Sequence, residues 1–178
     1  MAQTKKKKKF FDVEIPLVGK QTQMQAYELS ELEGRFLKYD LTRMLKGKSM
    51  MLTLKVKVDE NNAIANPKKV VLMPYFLRRM IRKGTNYVED SFKAVCNDAE
   101  LTIKPFLITR RKVSRAVRNA LRIKAKEELM NYIKDKSTEE LFDELLKNQI
   151  QRPLSQKLKK IYPLSLCEIR VLEVKETK

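Results

Sequence analysis

The sequence MLTLKVKV, residues 51–58, has the clearest secondary-structure pattern in this chain of 178 residues. Its apolar residues are Leu52, Leu54, Val56 and Val58, and they alternate with Thr53, Lys55 and Lys57. Alternation with a period of two is typical of a β-strand with one buried face. An acidic and amide-rich stretch at residues 59–62 then favours a turn, followed by a return strand through residues 70–72.

Further segments are rich in β-branched and aromatic residues and are bounded by turn residues, so they also predict strands. They are residues 10–15, 34–41, 87–96, 101–108 and 166–174. Asn97 and Asp98 supply turn chemistry between the third and fourth of these, which predicts a hairpin.

Helix signals appear mostly later in the chain. Pro74 fits the first position of a short helix that Gly84 ends. Ser137 and Glu140 have the spacing of a capping box, and Pro153 is typical of the start of a last helix. This order of predicted elements, with strands first, then helices and then one strand, predicts an α+β fold. We expect an antiparallel curved sheet or a partly closed β-barrel, with helices packed mainly from the C-terminal half.

The amino terminus contains five consecutive lysines, which cannot be buried. We therefore predict a flexible basic arm at residues 1–9 and a single domain over residues 10–178. The apolar residues after the arm are too few for a secretion signal, and no apolar run approaches the roughly 20 residues of a membrane helix. These observations predict a cytoplasmic protein with no membrane partner.

Positive charge is concentrated in residues 104–126, KPFLITRRKVSRAVRNALRIKAK, which hold nine basic residues and no acidic one. The whole chain has a formal net charge of +17. Clustered excess charge favours a polyanionic partner, and the alternative is a solvated basic face with no partner. If a helix begins near Arg110, one stripe contains Arg111, Arg115, Arg118 and Arg122. The opposite face, which would pack on the protein, contains Val113, Ala116, Val117 and Ala120.

The stripe does not stay basic along the whole predicted helix. Leu129 and Ile133 fall on the same line as the arginines. The helix therefore ends, bends or meets a new partner near Lys126, and the sequence leaves these three alternatives open.

Several kinds of chemistry lack the residues they need. The chain has no His, and Cys96 and Cys167 are far apart, so a zinc finger and a Cys-His nucleophile are excluded. Its four glycines form no phosphate-binding loop. The nearest acidic cluster, Glu89, Asp90, Asp98 and Glu100, flanks a predicted hairpin, where charged turn residues are ordinary. We expect no enzyme activity, no metal and no cofactor.

The residues that carry the polyanion prediction are cationic side chains in three segments, together with one aromatic residue. The predicted RNA-binding residues are Lys5, Lys6, Lys7, Lys8, Lys9, Arg78, Arg79, Arg82, Lys83, Arg110, Arg111, Lys112, Arg115, Arg118, Arg122, Lys124 and Lys126. Tyr75, Phe76, Tyr87 and Phe106 are candidates for stacking on unpaired bases. Tyr75 is the best of these candidates because Arg78 and Arg79 lie close to it in the sequence.

Taken together, these segments resemble the archaeal and eukaryotic small-subunit ribosomal protein family eS-one, formerly S-three-Ae. The resemblance spans nearly the whole chain. It rests on the lysine cluster before Phe10-Phe11-Asp12-Val13, on Gly34-Arg35-Phe36 with Asp40-Leu41, on the arginine-rich segment, on Ile161-Tyr162-Pro163-Leu164 and on Ile169-Arg170-Val171. The order and spacing of these motifs are more specific than any single one.

The resemblance implies a structural component of the small ribosomal subunit, located on the platform near the messenger exit. Its implied partners are small-subunit ribosomal RNA and neighbouring ribosomal proteins, while a contact with messenger RNA stays open. The short chain favours an archaeal form. The alternative is a free module that binds single-stranded RNA, and a metal-dependent nuclease is a distant third.

Overall fold

A computed structural model describes residues 7–59 and 62–175, and these residues contain nine strands and four helices. The strands are β1 (Lys9–Ile15), β2 (Lys20–Ala26), β3 (Phe36–Asp40), β4 (Met50–Asp59), β5 (Asn62–Leu72), β6 (Tyr87–Glu89), β7 (Phe92–Val95), β8 (Glu100–Thr109) and β9 (Leu164–Lys175). The helices are α1 (Pro74–Met80), α2 (Arg115–Ile133), α3 (Thr138–Leu146) and α4 (Gln151–Leu158), and a short 3-10 helix covers Leu29–Leu32.

Strand β4 follows the alternation in its sequence. Leu52, Leu54 and Val56 are completely buried, while Thr53 and Lys55 between them are only half-buried. Full burial of such a side chain stabilises the fold by about 1.5–3 kcal/mol, and the alternation fixes which face of the strand is buried. The strand predicted at residues 51–58 is therefore confirmed. Part of the predicted turn at residues 59–62 lies outside the described residues.

The described residues group into two compact units. One contains the residues up to Tyr39 together with Thr53–Lys68, and the other contains Asp40–Leu52 together with the residues from Lys69 onward. The single-domain boundary stays a prediction. The site described below lies entirely in the second unit.

In the first unit, β1 and β2 form an antiparallel hairpin, and β1 also pairs with β5 in parallel. Strand β2 was not predicted from the sequence, because its exposed positions are Lys20 and three glutamines and its only fully buried residue is Ala26. A strand with so little apolar surface lacks the hydrophobic alternation that identifies strands in a sequence.

In the second unit, β9 lies between the end of β5 and β8 and is antiparallel to both. Strands β6 and β7 both pair with β8. The hairpin predicted around Asn97 and Asp98 is confirmed as β7 and β8, but the predicted strand at residues 87–96 is divided into β6 and β7 at Asp90 and Ser91. The predicted last strand is confirmed as β9.

The nine strands form a mixed, open sheet, and most of the helical residues lie in the C-terminal half of the chain. The predicted α+β class is confirmed. Among the described strands the sheet is not closed. Strand β1 pairs with β5 in parallel, whereas the pairs β1–β2, β5–β9, β6–β8, β7–β8 and β8–β9 are antiparallel.

The capping box predicted for α3 is present. The Ser137 hydroxyl accepts a hydrogen bond from the backbone N–H of Glu140 at 3.4 Å, and the Glu140 carboxylate accepts one from the N–H of Ser137 at 3.2 Å. These bonds satisfy two backbone donors that the first turn leaves unpaired. Leu141, Phe142 and Leu145 of this helix are then fully buried.

Candidate nucleic-acid interface

Helix α2 begins later than the sequence predicted. Ser114 is its N-cap, with an extended backbone and a hydroxyl that accepts a hydrogen bond from the N–H of Val117 at 3.4 Å. Serine is a preferred N-cap because it satisfies one of the free donors of the first turn. The start near Arg110 is therefore wrong, and Arg110, Arg111 and Lys112 lie exposed in the loop before the helix.

That basic loop is fixed to the segment before β6 by hydrogen bonds around the fully buried Thr109. The backbone N–H of Thr109 donates to the Asn86 carbonyl at 2.9 Å, and the Asn86 N–H donates to the Thr109 hydroxyl at 3.0 Å. The Thr109 hydroxyl has one proton to donate, and the acceptor nearest to it is the Arg111 carbonyl oxygen at 2.7 Å. The N–H of Val113 donates to Asn86 Oδ1 at 2.9 Å. The backbone that carries the loop cations is thus held in one position.

The buried face of α2 contains Leu121, Ala125, Leu129 and Ile133, which follow one another at steps of four. Of the three alternatives near Lys126, an end of the helix is wrong, because α2 continues to Ile133. Its second half instead meets a new partner, since Leu129 and Ile133 are buried against the protein. Large apolar side chains on that half determine which face is buried, because burial scales with the apolar area removed from water.

The docking face predicted for the first half of α2 is wrong in two positions. Ala116 and Ala120 are exposed, whereas Val113 and Val117 are half-buried. The prediction used only the residues up to Lys126, where small side chains gave little indication of which side packs against the protein.

The arginines of α2 line a groove that faces strand β6. The groove has a volume of about 590 Å³. Its lining residues are Arg115, Ala116, Arg118, Asn119 and Arg122 of α2, with Tyr87, Val88 and Glu89 of β6. Three of the four arginines predicted to share a stripe therefore converge on one concave surface, while Arg111 lies before the helix. We call this surface the α2–β6 groove.

The helix geometry explains why these arginines lie so close to the protein core. Leu129 follows Arg118 by eleven positions, which is about three helical turns, so both residues lie on the same side of α2. That side is apolar and buried at Leu129, and it is cationic and half-buried at Arg118. The Nε of Arg118 is buried and has no hydrogen-bond partner within the described residues. A buried donor without an acceptor costs about 1–3 kcal/mol, so this group favours an acceptor from a ligand.

Tyr87 provides an aromatic surface in the α2–β6 groove. Its side chain is 54% exposed, and its ring stacks on Phe106 with 5.8 Å between the ring centres and 17° between the planes. Phe106 is only 2% exposed, so it supports Tyr87 from the core. Sequence reasoning ranked Tyr87 below Tyr75, because nothing in the local sequence shows that Tyr87 and the α2 arginines share a groove. Tyr75 is 49% exposed on α1 and is not among the groove's lining residues, and its stacking role stays a prediction.

Glu89 is the acidic residue among those that line the groove, and its charge is already balanced. Arg170 donates a hydrogen bond from Nη1 to Glu89 Oε1 at 3.0 Å. Three arginines therefore face one carboxylate that has its own cationic partner. The α2–β6 groove has a net positive charge, which favours an anionic ligand.

The second basic cluster is exposed on and after α1. The helix predicted to continue to Gly84 ends at Met80, because Ile81 adopts an extended backbone, so Arg82 and Lys83 lie in the following turn. Arg78 and Arg79 on the helix are also exposed, and the Arg79 guanidinium lies 5.5 Å from the centre of the Phe76 ring. Phe76 itself is buried, as core residues are.

Of the predicted lysine arm, Lys5 and Lys6 lie outside the described residues. Lys7 and Lys8 are exposed ahead of β1, whereas Lys9 is already the first residue of β1 and pairs with Ala26. The Lys8 ammonium lies 5.7 Å from the centre of the Tyr27 ring.

The two lysines at the end of the arginine-rich segment have partners within the protein. Lys124 Nζ lies 3.4 Å from carboxylate oxygens of both Glu127 and Glu128, and the hydrogen bond with Glu127 raises the pKa of Lys124 above its usual value. Lys126 Nζ lies 5.9 Å from the centre of the Phe92 ring. Their roles in RNA binding stay predictions, and the charge of Lys124 is already paired within the protein.

The acidic residues considered for a metal site have structural partners. Glu100 forms an ion pair with Lys93 at 3.3 Å, and Asp98 accepts a hydrogen bond from the N–H of Thr138 at 3.2 Å. Across residues 7–59 and 62–175, no three side chains of His, Cys, Asp or Glu come together as metal ligands would. Both cysteines are free.

In the same described ranges, none of the helices combines the length and the hydrophobicity that a bilayer crossing requires.

Comparison with known protein families gives one match that covers nearly the whole chain. The model of the Ribosomal S3Ae family matches residues 2–178. The curated proteins contain no significant match to this chain.

Proposed function

The chain belongs to the Ribosomal S3Ae family, whose members are small-subunit ribosomal proteins, and on this premise we propose that it is a structural component that binds ribosomal RNA through the α2–β6 groove. The family is the one that the sequence motifs resemble. It implies a ribosomal, cytoplasmic location and a structural role in translation.

The observation that carries the proposal is the convergence of Arg115, Arg118 and Arg122 on one groove. Arginine binds phosphate oxygens through a planar, permanently charged fork with several donors, so a cluster of arginines suits the RNA backbone. The loop cations before α2 extend this surface, since Thr109 and Asn86 hold the backbone of that loop in place. We propose that the lysines of the arm and the cluster around α1 contribute further phosphate contacts.

We further propose, from the family resemblance, a position on the platform of the small subunit near the messenger exit, with neighbouring ribosomal proteins as partners. Helix α3 carries the exposed acidic residues Glu139 and Glu140, so it offers a negatively charged surface to neighbouring proteins that are basic. Contact with messenger RNA and an archaeal origin stay predictions.

The second candidate function is a free module that binds single-stranded RNA, and the exposed ring of Tyr87 in a cationic groove favours it. Both candidates use the same surface and differ in whether the protein is retained on a ribosomal particle. No arrangement of carboxylates among the described residues favours a nuclease.

Co-sedimentation separates the two candidates. A tagged version of the chain is expressed in its source cells, and the lysate is separated on a sucrose gradient after a wash at moderate salt. A structural component is expected to co-sediment with small subunits in a fixed ratio to ribosomal RNA. Recovery of the protein only at the top of the gradient would contradict the proposal and support the free module.

A variant pair links the result to the groove. Replacing Arg115, Arg118 and Arg122 with Glu is expected to reduce the fraction retained on small subunits. A matched control replaces the exposed Lys20, Lys57 and Lys159 with Glu, which changes the net charge by the same amount outside the predicted interface. Equal losses for the two variants would show that overall charge, and not the groove, is responsible.

A further inference from the structure

We propose that the α2–β6 groove binds one unpaired RNA nucleotide, with its base stacked on Tyr87 and its phosphate held by the arginines of α2. This inference rests on the proposed RNA-binding function and specifies what that function recognises. Uniform contact with duplex phosphates would need cations only, whereas this groove also holds an aromatic surface and a carboxylate.

The size of the groove suits a small ligand. Its volume of about 590 Å³ lies within the range of roughly 300–1,000 Å³ that is usual for small-molecule sites. An RNA duplex presents its backbone outward and keeps its bases stacked, so it cannot place a base in such a groove. A nucleotide in a loop, a bulge or a single strand can turn its base outward.

Tyr87 has the properties of a stacking platform. Its contact with the buried Phe106 supports the ring from the protein side, and about half of its side chain stays exposed. Because the support is preformed, little conformational freedom is lost when a base stacks on the exposed surface. Stacking of this kind tolerates any base, since every base has a π face.

The charges assign an orientation to the nucleotide. Arg115, Arg118 and Arg122 come from α2, and Arg118 contributes a buried Nε that lacks an acceptor. Glu89 comes from β6, the strand that also carries Tyr87, and its pairing with Arg170 holds it as a hydrogen-bond acceptor. Because Arg170 bonds to Oε1 and balances the charge, the carboxylate offers a phosphate no attraction of its own, and it can still accept an N–H group from a base edge. The phosphate therefore lies toward α2 and the base toward β6.

An acidic peptide is the other anionic ligand that arginines could bind. Its carboxylates match the α2 side of the groove, but they leave the exposed ring of Tyr87 without a partner. The combination of arginines, an aromatic ring and an acceptor favours a nucleotide over a peptide.

Binding of short RNA probes to the full chain tests the inference. Two probes share the same six-nucleotide backbone: one carries adenine bases, and the other is abasic. Replacing Tyr87 with Leu is expected to weaken binding of the adenine probe by roughly 5- to 160-fold, the range typical for loss of one base–aromatic contact. Binding of the abasic probe is expected to stay unchanged. Phe36→Leu is the matched control, because Phe36 is an aromatic residue of similar exposure that lies outside the groove and outside the predicted RNA-binding residues.

The Tyr87→Trp variant distinguishes a loss of stacking from a loss of folding, because tryptophan keeps a large aromatic surface. It is expected to restore binding of the adenine probe, and the thermal unfolding of each variant is measured in parallel. The Arg118→Ala variant is expected to weaken both probes, since both carry phosphates.

Three results would overturn the inference: equal effects of Tyr87→Leu and Phe36→Leu, equal affinity of the unmodified chain for the two probes, or binding of a six-residue glutamate peptide in place of RNA. The first two results would leave the proposed ribosomal role intact, because that role is tested by retention on small subunits and does not need base stacking. Loss of that retention would contradict the proposed function even if the isolated chain binds the adenine probe.

Discussion

Replacing Arg115, Arg118 and Arg122 with Ala should flatten the salt dependence of RNA binding. Each phosphate contact contributes a slope of about −0.7 for single strands and about −0.9 for duplexes to a plot of log affinity against log salt concentration. If each of the three groove arginines makes one contact, the slope becomes shallower by roughly 2.1 to 2.7.

The slope translates into a change that a binding assay measures directly. A fourfold rise in salt, from about 50 to about 200 mM, spans roughly 0.6 log units. Over this range the unmodified chain is expected to lose roughly 20- to 40-fold more affinity than the triple variant. Arg111 is left unchanged in this variant, because it lies in the loop before α2 and not in the groove.

Fluorescence anisotropy with a labelled RNA probe, titrated at five or more salt concentrations, gives both slopes. The control variant replaces Lys20, Lys57 and Lys159 with Ala, which removes the same three charges from exposed positions elsewhere. Its slope should stay close to that of the unmodified chain. If the groove variant has an unchanged slope, or one equal to that of the control, the arginines do not contact phosphate and the reasoning fails.

Three other predictions concern the framework of the site. Thr109→Val removes the buried hydroxyl that binds the basic loop and should lower the free energy of unfolding by about 1–3 kcal/mol in urea titrations; an unchanged value would show that those hydrogen bonds contribute little. Leu129→Ala should lower the free energy of unfolding by about 2–5 kcal/mol because it leaves a cavity, whereas Ile123→Ala on the exposed side of α2 should lower it far less. Similar losses for the two variants would contradict the burial of Leu129. Burial raises the pKa of the Cys167 thiol to about 12, so this thiol should resist a thiol reagent at about pH 8 until urea unfolds the chain. Because the thiol of the unfolded chain ionises near its ordinary pKa of 9.0, the free energy of unfolding should fall as the pH rises from that value toward 12. Rapid labelling of the native chain, or a constant free energy of unfolding over that range, would contradict the raised pKa of Cys167.

The parts of the fold that the sequence predicted are those encoded by local patterns. The alternation in β4 and the capping box at Ser137 depend on neighbouring residues, and both were found as predicted. The parallel pairing of β1 with β5 and the position of β9 between β5 and β8 depend on contacts between distant segments. No local pattern indicates such pairings, and β2 lacked even a local pattern because its outer positions are polar.

The candidate site was predicted in its residue types but not in its geometry. The arginine-rich segment was evident from charge alone, and its start could have been corrected from Ser114, a preferred N-cap. The packing face of α2 was assigned from the basic segment alone, although Leu129 and Ile133, which lie beyond that segment on the arginine line, indicated the side that is buried. Tyr87 reaches the groove through the pairing of β6 with β8, which is a tertiary contact.

The most direct test of the central claim is a structure of the small ribosomal subunit that contains this chain. We predict RNA density in the α2–β6 groove, with phosphate oxygens within hydrogen-bonding distance of Arg118 and of at least one neighbouring α2 arginine. A groove that faces open solvent or another protein, with no RNA near these arginines, would contradict the claim.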